Sequence, residues 1–269
     1  MRSFASRAAK VWLALVMMCL MGSLLAVEVS ASETAARGRE VVSKWEKAVI
    51  TVKLTVKIRT SAEGRQFQEE EDTQEIRGTV IDPSGLTVCS LCEADPAQMF
   101  ASWMEQSEDY KWEVEITGVK MRLADGKEIP AKVVLRDKDL DLAFVRPTEK
   151  PAEPLAAVDL NDSGKVEVLD EVLVIGRLGE AANRVASAVL DQIAGIMQKP
   201  RMLYVPGPNG VSSDAGCPVF TLDGKVVGVL LNRVVPAQGG RMMGDDSGWM
   251  VVILPAADVA EVAKQAPGA

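Results

Sequence analysis

There is no histidine anywhere in the 269 residues. No imidazole is therefore available as general base, proton shuttle or metal ligand, the tasks histidine usually performs. Aromatic residues are also scarce, at 4% of a chain that is 48% hydrophobic, so Val, Leu, Ile and Ala must fill the core. Beyond the N-terminal segment, no apolar run approaches the roughly 20 residues needed to span a bilayer. Positive charge is in deficit, with 30 basic against 38 acidic residues. That balance argues against nucleic acid and anionic lipid as partners.

The N-terminus reads as an export signal. Arg2, Arg7 and Lys10 precede an apolar stretch from Val11 to Ala26, and Val29-Ser30-Ala31 offers small residues for cleavage. Residues 1–31 are expected to be removed. The alternative is an uncleaved anchor, which would be the only route to a membrane. Cys19 follows Val16-Met17-Met18, a poor lipidation signal. Without Arg2, Arg7, Lys10 and Glu28, 27 basic and 37 acidic residues remain, a net charge near −10. Cys89, Cys92 and Cys217 also remain. An odd number in an exported protein suggests one disulfide and one free thiol.

Residues 33–47 suggest a short amphipathic helix, and 48–58 ("AVITVKLTVKI") alternate like a strand. Residues 59–75 are polar and include the acidic run Glu69-Glu70-Glu71-Asp72. Ligand spacing and glycine suited to Ca²⁺ are absent, so a solvated loop is expected there. Short strands then recur around a Pro-Ser-Gly turn at 83–85 and an Asp-Gly turn at 125–126. A Pro- and charge-rich stretch over 148–155 separates two strand-rich halves, 32–147 and 156–269, and residues 255–265 read as a terminal helix. Many short strands with regular turn signals indicate an all-β sandwich or barrel; the central linker favours two barrels.

Four stretches in order carry a more specific likeness: "GTVIDPSGLTVCSLCEA" (78–94), "LADGKEIPAKVVLRDKDLDLAFVRP" (123–147), "LNDSGKVEVLDEVLVIGRLG" (160–179) and "SSDAGCPVFTLDGKVVGVLLN" (212–232). Together they resemble the trypsin-like serine proteases, especially the bacterial HtrA/Deg branch. The resemblance spans roughly residues 45–265. It implies two six-stranded antiparallel β-barrels with a short N-terminal and a C-terminal helix. It also places the triad aspartate on Asp141, the triad histidine on Cys92 and the nucleophilic serine on Ala215. The oxyanion loop falls on Ser213, Asp214 and Gly216, and a glycine of the family motif is replaced by Cys217. The nucleophile loop of this family packs against the loop bearing the histidine. A disulfide from Cys217 to Cys89 or Cys92 is therefore implied by the resemblance.

A serine hydroxyl attacks only as a base takes its proton, and the acid orients that base. Ala215 has no hydroxyl, and Cys92 does not replace an imidazole. With Ser213 and Cys217 in place of glycines, the oxyanion geometry departs from the family's as well. Three alternatives stand beside an inactive homologue. A thiol hydrolase at Cys92 or Cys217 needs a field that lowers the thiol pKa, and Asp141 opposes one. A Ser-Lys dyad at Ser212 or Ser213 lacks a lysine placed by the motif. Cys89-x-x-Cys92 has the spacing of a redox pair but follows a strand rather than opening a helix in a βαβ unit. The expected protein is an exported pseudoprotease without cofactor or metal, acting by binding a protein or peptide. Its expected binding edge is Leu231-Asn232-Arg233, where the family's substrates pair with the strand behind the nucleophile loop.

Overall fold

The computed structural model describes residues 33–62, 65–95, 110–209, 214–234 and 249–268. The expected signal, Ser212, Ser213 and the Gly-rich stretch 236–248 lie outside the described residues. Two compact units are distinguished, one ending at Glu40 and one running from Val41 to Ala269. Of the first, residues 33–40 are described and are helical, with an ion pair between Arg37 and Glu33. The helix α1 (33–45) ends in the second unit and passes through a 3₁₀ turn, Glu46–Ala48, into the first strand.

The second unit holds two closed barrels. The first comprises β1 (Val49–Ala62), β2 (Arg65–Val80), β3 (Thr87–Ser90), β4 (Tyr110–Arg122), β5 (Glu128–Asp137) and β6 (Leu142–Pro147), ordered β1-β2-β3-β6-β5-β4. The other comprises β7 (Glu171–Arg177), β8 (Ala186–Met197), β9 (Leu203–Pro206), β10 (Pro218–Thr221), β11 (Val226–Val234) and β12 (Trp249–Pro255), ordered β10-β11-β12-β9-β8-β7. Every described pairing between named strands is antiparallel. A one-turn helix α2 (Leu91–Ala94) follows β3, and α3 (Ala256–Ala263) closes the chain.

Period-2 patterning explains the first barrel. Ile50, Val52 and Leu54 on β1 are fully buried and pack with Ile76, Val80, Cys89, Met121 and Val145, while Lys53 and Lys57 face outward. The polar stretch 59–75 departs from the expected loop. It forms the end of β1 and most of β2, with Lys57 opposite Glu71 and Arg59 opposite Glu69. Opposite charges facing one another across the ladder stabilise a strand that composition alone reads as loop. Lys57 and Arg59 both reach Glu69, and Arg59 also reaches Glu115 on β4.

The other core gathers the interior of the second barrel, α3, and Val41 and Trp45 from the approach to β1. The Trp45 ring stacks on Phe220 of β10 at 5.7 Å, nearly parallel. The segment between the barrels stays with the first as far as Val158, whose N–H donates to the Val80 carbonyl. It then joins the second at Asp162–Gly164, which pairs with Val226.

Candidate functional site

Asp141 sits in the turn before β6 with φ 58°, a left-handed conformation unusual for a non-glycine residue. The turn aims its carboxylate at the start of α2. Oδ2 accepts from Ser90 Oγ at 2.5 Å and Oδ1 from the Cys92 N–H at 2.7 Å. The Asp141 carbonyl accepts from the Leu91 N–H at 2.9 Å. The acid position and the former base position are thus joined, but the bond runs to the backbone of Cys92 rather than to a side chain. Ser90 was not anticipated from sequence.

On the second barrel, residues 214–217 form a tight turn. Cys217 N–H donates to the Asp214 carbonyl, Gly216 N–H to Leu230 and Leu230 N–H to Cys217. Ala215 is fully buried. Gly216 has φ 86°, and a Cβ on it would lie 2.4 Å from the Arg77 carbonyl oxygen and 3.4 Å from Cys89 Cα. Only glycine meets both demands. The turn is therefore pressed against β2 and β3, and Thr79 Oγ1 donates to the Gly216 carbonyl at 2.7 Å.

β2 carries the seam between the barrels on one face. Glu75 accepts a two-pronged guanidinium contact from Arg184 at 2.6 and 2.9 Å, and Arg77 Nε donates to the Arg177 carbonyl. Thr79 completes the row, so residues 75, 77 and 79 all face the second barrel, as strand alternation requires. In return, Arg177 donates to the carbonyls of Val49, Arg184 and Glu46.

Three carboxyls, Asp141, Glu93 and Asp214, lie at or beside Cys92 and Ala215. Burial pushes Asp141 up to about 6, although Ser90, Cys92 and the charge of Arg233 favour its ionised form. Burial pushes Glu93 up to about 8, opposed by Arg77 and reinforced by Asp141 and Asp214. Asp214 is likewise raised by burial and lowered by Arg77. Glu93 and Arg77 were missed by sequence reasoning. The available signal for Glu93 was its place directly after Cys92, the position that the resemblance aligns with the family's histidine.

The expected disulfide is absent: Cys89, Cys92 and Cys217 are free thiols and buried. Cys89 belongs to the core of the first barrel and Cys217 to the other core, so the two side chains serve different interiors although their loops touch. Burial raises all three thiols. Cys92 reaches about 12, with Asp141 and Glu93 adding to the shift. A buried thiol facing carboxylates has no thiolate at neutral pH. Neither the thiol hydrolase nor the redox reading gains support from these surroundings. Among the described residues no group of three or more His, Cys, Asp or Glu could hold a metal ion.

The expected binding edge lies on β11. Its ladder with β10 extends only to Val229 opposite Pro218, whereas its ladder with β12 continues through Leu231, Asn232, Arg233 and Val234. Leu230 directs its N–H to the Cys217 carbonyl and accepts from the Gly216 N–H. Arg233 comes close enough to act on Asp141.

Comparison with known proteins matches residues 77–229 to the family model described as "Trypsin-like peptidase domain". Among curated proteins, the chain is similar to the "Probable periplasmic serine endoprotease DegP-like" of Rickettsia conorii, 27% identical over 164 residues, covering 56% of this chain and 27% of that protein. The protein of the same name from Rickettsia prowazekii is 32% identical over 123 residues, covering 41% of this chain and 22% of its own length. That from Halomonas elongata is 29% identical over 133 residues, 47% of this chain and 26% of its own. The matched part spans about a quarter of the length of these relatives.

Proposed function

Because the chain belongs to the trypsin-like peptidase family, we propose that it is an exported member that has lost catalysis and works by holding an extended protein or peptide segment. The observation that carries this reading is the pairing of Ala215 with a chain that has no histidine. Position 215 presents a buried methyl group where attack requires a hydroxyl, and no base of the usual kind exists to activate one. Asp141 keeps a job without a histidine, because its two oxygens order α2. The names of the relatives speak for export to a periplasm, and the basic start and apolar stretch before Ala31 agree with that address.

Binding is assigned to Leu231-Asn232-Arg233 at the end of β11, where the family's substrates pair. Backbone groups at a strand end recruit a peptide by adding a strand, and that requires no triad. Arg233 beside this edge favours a ligand carboxylate, within the limit that a net charge near −10 sets on strongly acidic partners.

Two measurements test the reading. Purified mature protein should hydrolyse neither casein nor peptide esters above background, and Ala215→Ser alone should not restore turnover, because the base is still missing. Turnover that is abolished by Cys92→Ala would overturn inactivity and revive the thiol hydrolase. Affinity capture from the native envelope with wild type and with a folded Asn232→Pro variant tests the edge. Pro removes an N–H donor there and should weaken the captured ligand, whereas equal capture would place the binding surface elsewhere.

A further inference from the structure

A cavity of about 900 Å³ lies away from Cys92, Asp141 and Ala215, bounded by residues 46–47, the β4–β5 turn, the stretch 151–156 and the two ends of the β7–β8 connection. Neither Cys92, Asp141, Ala215 nor Leu231-Asn232-Arg233 lines it. Its volume falls within the roughly 300–1,000 Å³ of small-molecule sites. Leu123, Ile129, Leu155 and Val185 supply apolar wall. Val185 is 53% exposed, high for a large apolar residue, and the cavity is what it faces.

The lining carries three cations and three carboxylates, and of the cations Arg177 is the buried one. Arg177 is 7% exposed. Its guanidinium has five N–H groups, and three bonds from Nε, Nη1 and Nη2 go to the neutral carbonyls of Val49, Arg184 and Glu46. Among the described residues no carboxylate comes within 4.0 Å of it, and the Glu46 carboxylate acts on it from farther away. A buried cation satisfied only by neutral acceptors keeps much of its desolvation cost, which an anion would offset. Lys47 and Lys127 also line the cavity and join no ion pair among the described residues. Asp125 turns one oxygen onto the Lys127 N–H, and Glu46, Asp125 and Glu153 are the opposing charges.

The walls also limit the ligand. Both barrels are closed, so β4, β5, β7 and β8 are each paired on two sides. They offer no strand edge to an extended peptide, whose own backbone groups would be left unmatched. A ligand with one charged head and a body that forms no hydrogen bonds fits these walls better.

We propose that this cavity binds a small amphipathic carboxylate, an acyl or aryl monocarboxylic acid, with its head at Arg177, Lys47 and Lys127 and its body against Leu123, Ile129, Leu155 and Val185. The test is calorimetric titration of the whole mature protein with octanoate, octanamide and a short peptide ending in an apolar residue. Octanoate should bind saturably with one site, and octanamide at least about tenfold more weakly, because it lacks the charge that a guanidinium fork prefers. Ile129→Trp, which fills the cavity, should abolish octanoate binding. Lys47→Gln with Lys127→Gln leaves the wall intact and should weaken octanoate several-fold, which keeps the test decisive if the tryptophan variant misfolds. Absence of saturable octanoate binding, equal binding of octanamide, or unchanged affinity in either folded variant overturns the proposal. So does binding of the peptide alone, which would make the cavity a peptide-docking site.

Discussion

The two barrels hold Cys92 and Ala215 in different ways. The first holds Cys92 through the ionisable carboxylate of Asp141, bonded to Ser90 and to the backbone of α2, with Glu93 beside it. The second holds Ala215 through backbone hydrogen bonds and the close seating of Gly216 on β2. One half is therefore set by charge and responds to pH. The other is set by shape and responds to volume. Both kinds of support act on loops that meet where Gly216 seats on β2 and β3.

The largest effect is expected from the steric half. Gly216→Ala adds a Cβ 2.4 Å from a backbone oxygen at a left-handed position, so it should cost about 3 kcal/mol or more, or prevent folding. Urea denaturation measures this, and a loss under about 1 kcal/mol would show that the turn moves freely off β2. Next comes Asp141→Ala, which leaves a buried hydroxyl and a buried N–H without their acceptor, at about 1–3 kcal/mol. Asp141→Asn keeps an acceptor without the charge and should be nearly neutral, or stabilising at pH 8. Equal losses for both variants would make the charge, rather than the acceptor, the source of the stability.

The pH response separates the halves further. Asp141 and Glu93 have folded pKa values raised to about 6 and about 8. The native state then holds more protons than the unfolded state between their unfolded values, near 4, and those raised ones, so stability falls as pH rises across that window. The urea midpoint should be higher at pH 5.5 than at pH 8.5. Glu93→Gln should flatten most of that slope, whereas a variant of the 214–217 turn that still folds should leave it unchanged. The lowered carboxyls Glu75 and Asp82 act oppositely, losing stability only as pH falls through their folded values. The smallest change concerns backbone strain in the second barrel. Leu169 has φ 76° and is 71% exposed. Leu169→Gly should therefore stabilise by about 1 kcal/mol in thermal unfolding.

The sequence was most readable where one periodicity or one motif dominated. β1, β6 and β7 alternate or run apolar between clear turns, and the order of four motif stretches placed Cys92, Asp141 and Ala215 before any coordinates. The strand over 65–75 was hidden because its stability comes from cross-strand charges, and those partners are known only once the register is known. The seam residues Glu75, Arg77, Thr79 and Arg177 were hidden for the same reason: nothing local distinguishes a charged residue facing water from one facing another barrel. The thiols misled in the opposite direction. Loop proximity was correctly implied, but the direction in which each sulfur points depends on which core its strand face lines.

The stack of Trp45 on Phe220 also bears on the order of assembly. Trp45 lies before the first barrel and Phe220 deep in the second, so nearly the whole domain must be synthesised before the two rings can meet. Val41 and α3 are anchored in that same core, and the first barrel is thus a loop whose beginning is secured only by what is made last. Contacts so distant along the chain slow folding, because a large loop must close before they contribute. The first barrel can pair its own strands early, yet the Trp45 ring stays unstacked until β10 forms. The environment of the Trp45 indole then reports a late event, and a Trp45→Phe variant would lose that signal in stopped-flow refolding.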